Sequence, residues 1–300
     1  MPPLLEAKNL TKRYGATVAL DSVSFQVTEG VTGLLGPNGA GKSSAIKLFL
    51  GLLRPTEGSA EVLGQRPQRS VEVRARLGYM PEHDCLPRSV SGAEFLTHIA
   101  QVSGLPPAHA RTRAADVMRH VGMDEERYRS IGEYSTGMYQ RVKLAQALVH
   151  DPAIVLLDEP TAGLDPRGRE EMLDLIRRTG REFGISIVLS SHLMGDVERT
   201  CNRVIVLEGG RVSEDGSVSS FTEDTQTIAI DVDQNVDGLV AALSARGVHA
   251  TLDGVSVIVE HESDEQYDLI RDALVEAGCG LRQMAPRRLR LTEIFRGPEG

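Results

Sequence analysis

Apolar positions along the chain fall into two periods. Over 4–14 and 18–27 they alternate with polar residues, which predicts strands of an antiparallel edge, and the run 31–36 reads as a buried strand. A glycine-rich turn then opens a helix, roughly Gly41 to Leu53, and 58–64 and 76–80 read as further strands. From Ser91 to about Arg129 the spacing becomes helical, with candidate helices over 91–104 and 108–122. A third helix is predicted from about Thr136, where Val142, Leu144, Ala145 and Leu148 recur on one side. Strand 153–158, helix 167–184, strand 185–191 and a helix after His192 complete the pattern. Strand–helix alternation of this kind predicts an α/β fold, a mostly parallel sheet covered on both faces.

The tail changes character. Strand 227–233, helix 235–247, strands 249–252 and 255–260, helix 264–278 and strand 281–284 make a βαββαβ order. That order is compatible with a ferredoxin-like sandwich or with another small α+β topology. The polar, serine-rich stretch 213–225 is the expected linker. We therefore expect a first domain over 1–220, with a helical subdomain at about 86–150, and an accessory domain over 221–300.

Composition narrows the function. A net charge of −9 leaves no basic excess for a general nucleic-acid coat. Cys85, Cys201 and Cys279 are far apart and form no Cys/His zinc pattern, which suits a reducing compartment. The start lacks a basic region and a long apolar core, so no signal peptide is expected, and no apolar run approaches the ~20 residues of a membrane helix. Any work at a membrane is expected to go through a partner.

Three segments carry chemistry. The stretch Gly36, Pro37, Asn38, Gly39, Ala40, Gly41, Lys42, Ser43 fits G-x-x-x-x-G-K-S between a strand and a helix. Its glycines let backbone N–H groups wrap a phosphate chain, Lys42 reaches the terminal phosphates, and the Ser43 hydroxyl is placed for Mg²⁺. The strand ending in Asp158 and Glu159 delivers two acids to the same edge of a parallel sheet. Asp158 suits Mg²⁺, and Glu159 suits a general base for the attacking water. His192 ends another strand, either as a satisfied polar terminus or as a contact to the γ-phosphate and water; Tyr14 either packs on its edge strand or stacks on an adenine ring. At 135–138, Ser135, Thr136, Gly137 and Met138 open a helix whose free N–H groups attract an anion, with no catalytic group nearby.

With these elements in this order, residues 4–220 resemble the ATPase subunit of ATP-binding cassette (ABC) transporters. Tyr14 matches the aromatic A-loop, Gly36–Ser44 the Walker A segment, and Ile154–Pro160 the Walker B segment. Asp165 falls in the D-loop, His192 matches the switch histidine, and Tyr134–Arg141 stands where the family has its LSGGQ signature. Two positions depart from the pattern. Tyr134 and Thr136 replace the usual Leu and first Gly, while Ser135 and Gly137 remain. Glu82 stands where the Q-loop usually has glutamine, and a carboxylate there is positioned for Mg²⁺ or water.

The resemblance implies a P-loop NTPase fold, ATP and Mg²⁺ as ligands, and ATP hydrolysis coupled to export through a separate membrane subunit. It implies a peripheral protein on the cytoplasmic face of the membrane that dimerises head-to-tail. Each ATP would sit between Walker A of one copy and Ser135, Thr136, Gly137 and Met138 of the other, and the region 79–130 would carry motion to the membrane subunit. Apolar residues from Leu86 to Val102 are either a dock for that subunit or ordinary helix packing. Competing classes are a soluble ABC protein acting on ribosomes or DNA, which would show tandem cassettes, a long coiled-coil insertion or a basic arm, and a small-molecule P-loop kinase, which would lack the signature, D-loop and switch histidine. Import is the alternative within the transporter class.

Overall fold

The computed structural model describes residues 3–221, 224–253, 256–260 and 265–288. It divides the chain into two compact units, residues 1–218 and 219–300. The first unit begins β1 (Leu5–Tyr14), β2 (Thr17–Val27), β3 (Val31–Leu35), α1 (Lys42–Phe49), β4 (Glu57–Val62), α2 (Val71–Arg74) and β5 (Leu77–Met80). It continues α3 (Gly92–Val102), α4 (Pro107–His120), α5 (Thr136–Leu148), β6 (Ile154–Leu157), α6 (Pro166–Phe183), β7 (Ser186–Ser191), α7 (Met194–Thr200), β8 (Arg203–Glu208) and β9 (Arg211–Ser217).

Six strands form the main sheet in the order β5-β6-β7-β3-β8-β9, parallel except for β9. Every residue of β3, β6 and β7 is buried, as expected for strands covered on both faces. The β2-β1-β4 sheet is separate and antiparallel. Between the two sheets Leu10, Leu20, Val62, Ile154 and Leu156 pack with Ile46 and Leu48 of α1 into one core. Register then fixes the functional edge. Leu35 pairs with Ser191 and Leu157 with Leu189, so the residues that follow β3 and β6 emerge beside the end of β7.

α6 shows how sequence sets a helix here. Asp165 caps its start and Gly184, at φ 62°, ends it. Met172, Leu173, Leu175, Ile176 and Thr179 face inward at three- and four-residue spacing. α1 stops at Phe49, short of Leu53, because the chain turns through left-handed Gly51.

One expectation is corrected in part. The division between the units at 218/219 falls within the linker expected over 213–225, but Arg211–Ser217 is the strand β9 and Val218–Phe221 a short helix α8. A polar sequence suits β9 because it is an edge strand whose backbone pairs with β8 on one side and most of whose side chains are exposed. Thr222 and Glu223 lie outside the described residues.

The second unit contains β10 (Asp224–Val232), α9 (Val236–Ala245), β11 (Ala250–Asp253), β12 (Ser256–Glu260), α10 (Glu265–Ala277) and β13 (Leu281–Arg288). Its strands lie in the order β11-β12-β10-β13, all antiparallel, which is the ferredoxin-like arrangement. Ile228, Ile230, Leu239, Leu243, Val257, Val259 and Ile270 form its own core.

Candidate active site

The loop after β3 is shaped by close packing. A Cβ on Gly36 would run into the carbonyl oxygen of Leu207, and one on Gly41 into that of Ala19. Gly41 also sits at φ 102° as the N-cap of α1 and offers no side chain to the helix's first N–H groups. Those amides stay free for an anion.

Lys42 opens α1 and is buried. Its Nζ donates to the carbonyls of Gly36 at 2.6 Å and Pro37 at 3.1 Å, and lies 3.3 Å from Glu159 Oε1. That last approach is an ion pair set off the hydrogen-bond axis, for Glu159 Oε1 is buried without a hydrogen bond. Phosphate oxygens compete for the same ammonium protons. The Ser43 hydroxyl donates to Asp158 Oδ1 at 3.0 Å.

β6 and β7 supply the rest. Asp158 is buried just beyond β6, and Ser190 Oγ of β7 donates to its Oδ1 at 2.7 Å. Ser190 Oγ also accepts the N–H of Glu159 at 2.9 Å. Glu159 sits at φ 47°, a left-handed conformation costly for a residue with a side chain. That N–H bond and the packed strand end hold it there. His192 Nδ1 lies 3.0 Å from Glu159 Oε2. In the tautomer that carries its proton on Nδ1, the imidazole donates to this oxygen.

A cavity of about 420 Å³ lies over these groups, lined by Ala19, Asn38, Gly39, Gly41, Lys42, Ser43, Ser44, Glu82 and Glu159. Tyr14 stands beside it with an exposed ring, its hydroxyl 3.4 Å from Ser44 Oγ and Lys12 Nζ 5.0 Å from its ring centroid. Glu82 follows β5 and joins the lining. Nearby Tyr79 is pushed up to about 12, chiefly by burial and then by the charge of Asp158.

Ser135, Thr136, Gly137 and Met138 do not line this cavity. Ser135 is the exposed N-cap of α5, where its Oγ accepts the Met138 N–H at 3.3 Å. Gln140 donates to the carbonyl of Ala162 at 3.0 Å, tying α5 to the loop after Glu159. A Cβ on Gly163 would sit 3.6 Å from Thr136 Cγ2, so the threonine methyl lies against that loop. Asp165 caps α6 by accepting the Gly168 N–H at 2.8 Å and stays exposed. Of the apolar residues in the stretch Leu86–Val102, Leu86, Leu96 and Ala100 are buried, Val90, Ala93, Phe95 and Ile99 are half-buried and Val102 is exposed.

Sequence reasoning misses Ser190, which joins both acids. The only trace of it is a serine one residue before the end of a buried apolar strand.

Comparison with known proteins agrees with this geometry. A family model described as ABC transporter matches residues 20–162. The chain is 34% identical over 292 residues to the Daunorubicin resistance ATP-binding protein DrrA3 of Streptomyces coeruleorubidus, covering 95% of this chain and 92% of that protein. It is 36% identical over 221 residues to the Nod factor export ATP-binding protein I of Burkholderia orbicola (strain AU 1054), covering 73% of this chain and 72% of that protein. Among solved structures, a dimeric bacterial ABC transporter cassette superimposes with a TM-score of 0.65 at 25% identity, covering 71% of this chain and 98% of that one.

Proposed function

The chain belongs to the ATP-binding cassette (ABC) transporter family, as an ATP-hydrolysing subunit of the export type, and from that premise we propose how its own residues bind and cleave ATP. The carrying observation is the convergence of Lys42, Ser43, Asp158, Glu159 and His192 at the ends of β3, β6 and β7. The loop amides of 36–41 and the first N–H groups of α1 cradle the phosphates, Lys42 neutralises their terminal oxygens, and Tyr14 stacks on the base. Glu159 takes the proton of the attacking water. Ser190 fixes its backbone and His192 its carboxylate, so the base is aimed before the substrate arrives.

Charge balance calls for a cation. Asp158, Glu159 and Glu82 stand near two ammonium groups, those of Lys42 and Lys143, and a polyphosphate adds further negative charge. The donor set fits Mg²⁺. Ser43 Oγ and Asp158 Oδ1 are hard oxygens 3.0 Å apart, and among the described residues no three His, Cys, Asp or Glu gather into a metal cluster. Mg²⁺ suits such a sparse set because it keeps water and phosphate oxygens as its other ligands. We assign Ser43, Asp158 and Glu82 to it. When bound, it neutralises charge on the phosphates.

Ser135, Thr136, Gly137 and Met138 complete the site of a second copy. One P-loop and one signature per chain suit a symmetric homodimer with two composite sites, Asp165 lying in the loop beside the signature. Export runs through a separate membrane subunit; among the described residues no helix is long and apolar enough to cross a membrane. ATP then reaches residues 1–218 from the cytoplasmic face, and residues 219–300 act as an accessory unit.

The test uses two substitutions. Lys42→Ala is expected to lose nucleotide binding by titration calorimetry, and wild-type affinity in that variant sinks the assignment. Glu159→Gln is expected to bind ATP normally and slow hydrolysis at least about 100-fold.

A further inference from the structure

One face of α5 bears no relation to phosphate binding. Tyr139, Lys143 and Gln146 recur at i, i+4 and i+7, which puts them in one row. The Tyr139 hydroxyl accepts the backbone N–H groups of Cys85 at 3.1 Å and Leu86 at 2.9 Å. Lys143 Nζ donates to the carbonyl of Glu82 at 2.8 Å, and the Cys85 thiol points to Gln146 Oε1 at 3.8 Å. Tyr134, just ahead of the helix, accepts the Gly92 N–H at 3.2 Å and donates to the Glu126 carbonyl at 3.1 Å. Backbone groups at 82, 85, 86 and 92 are therefore all held by side chains between Tyr134 and Lys143.

Lys143 is an expensive way to make such a bond. It is 1% exposed, and burial draws its pKa down against the pull of Cys85, Asp84 and Glu82. A long ammonium buried to reach one main-chain carbonyl does little for stability, where an apolar side chain of similar length would serve. Its target explains it: that carbonyl belongs to Glu82, whose residue lines the nucleotide cavity.

We propose that Tyr139 and Lys143 are positioning residues that fasten the Glu82–Leu86 backbone to the signature helix. The placement of Glu82 at one nucleotide and of Ser135–Met138 at the other is then set by one rigid body. A shift of α5 toward a partner's phosphate moves Glu82 in its own cavity by the same displacement, and the segment Glu82–Gly92 with it. This rests on the assignment of Glu82 to the nucleotide site made above.

Steady-state ATP hydrolysis by the full chain tests it. Tyr139→Phe, which removes one oxygen, is expected to lower kcat about tenfold while KM for ATP and nucleotide affinity change less than about twofold. Lys143→Met is expected to lower kcat alike with an unchanged or higher melting temperature, because a buried ammonium has gone. In a Glu82→Ala background both losses should shrink below about twofold, since the strap acts through Glu82. Wild-type kcat in Tyr139→Phe and Lys143→Met, beside a defective Glu82→Ala, overturns the strap and leaves the site assignment standing. Unchanged kcat in Glu82→Ala overturns both. Losses that multiply in the Glu82→Ala background mark a general structural role and overturn the proposal.

Discussion

At the residue scale, the proposed site divides into groups assigned to ATP and groups that hold those groups still. The first kind was legible because its members sit in contiguous motifs whose spacing the chemistry dictates: Lys42 beside Ser43, Asp158 beside Glu159. The second kind was not. Ser190 lies 32 residues from Asp158 and 31 from Glu159, and only the β6–β7 register brings them together. Tyr139 and Lys143 are likewise 54 and 61 residues from the backbone they bind, and their partners are main-chain groups that no side-chain pattern encodes. Ser190→Ala tests the distinction. It leaves the Glu159 N–H buried without its acceptor, a loss of about 1–3 kcal/mol in such settings, at the residue whose left-handed backbone needs it most. We expect kcat to fall about tenfold or more with ATP affinity retained. A parallel loss of affinity and rate would place the serine in binding instead.

At the element scale, helices were read well where caps and apolar faces agree, as in α6, and an element was missed where polarity resembles a loop, as in β9. A strand needs alternation only if one face is buried, and β9, at the sheet edge, has no such demand. α3 shows a cap whose strength depends on pH. Ser91 Oγ accepts the Glu94 N–H at 3.2 Å, and Glu94 Oε2 accepts the Ser91 N–H at 2.9 Å. Those bonds favour the carboxylate, the backbone one most, and hold Glu94 below its ordinary 4.5. A carboxyl depressed on folding adds stability above its unfolded value, and that contribution is lost as pH falls through the folded value. Amide protection in α3, read by hydrogen exchange, should therefore be full at neutral pH and weaken as pH falls below the ordinary 4.5 of the carboxyl. Glu94→Gln should remove the pH dependence, and Ser91→Ala should cost about 1 kcal/mol at neutral pH and less on acidification, because the Ser91 hydroxyl also donates to the Glu94 carboxylate. A Glu94→Gln chain that still loses protection on acidification points to another titrating group.

At the scale of the whole molecule, the proposed function gives the chain two half-sites for two different nucleotides. The phosphate half is largely self-paired, with buried Lys42 and exposed His192 both set against the buried Glu159 carboxylate. The signature half is an exposed helix start, with Ser135 capping α5 outside the cavity. A helix start attracts a phosphate but cannot hydrolyse it, and the P-loop binds a phosphate without covering its outer face. On that proposal, joining two chains head-to-tail supplies each half with the other, and the γ-phosphate is the bridge that hydrolysis would remove. The prediction separates this from simple nucleotide binding. Glu159→Gln with Mg-ATP should elute from size exclusion as a dimer, and as a monomer with Mg-ADP. Adding Ser135→Arg, which puts a bulky side chain at the helix start, should return it to a monomer although each chain still binds ATP. A dimer that survives Ser135→Arg, or that forms equally with ADP, would mean that the copies meet through some other surface and that the helix start at Ser135 answers to a different anion.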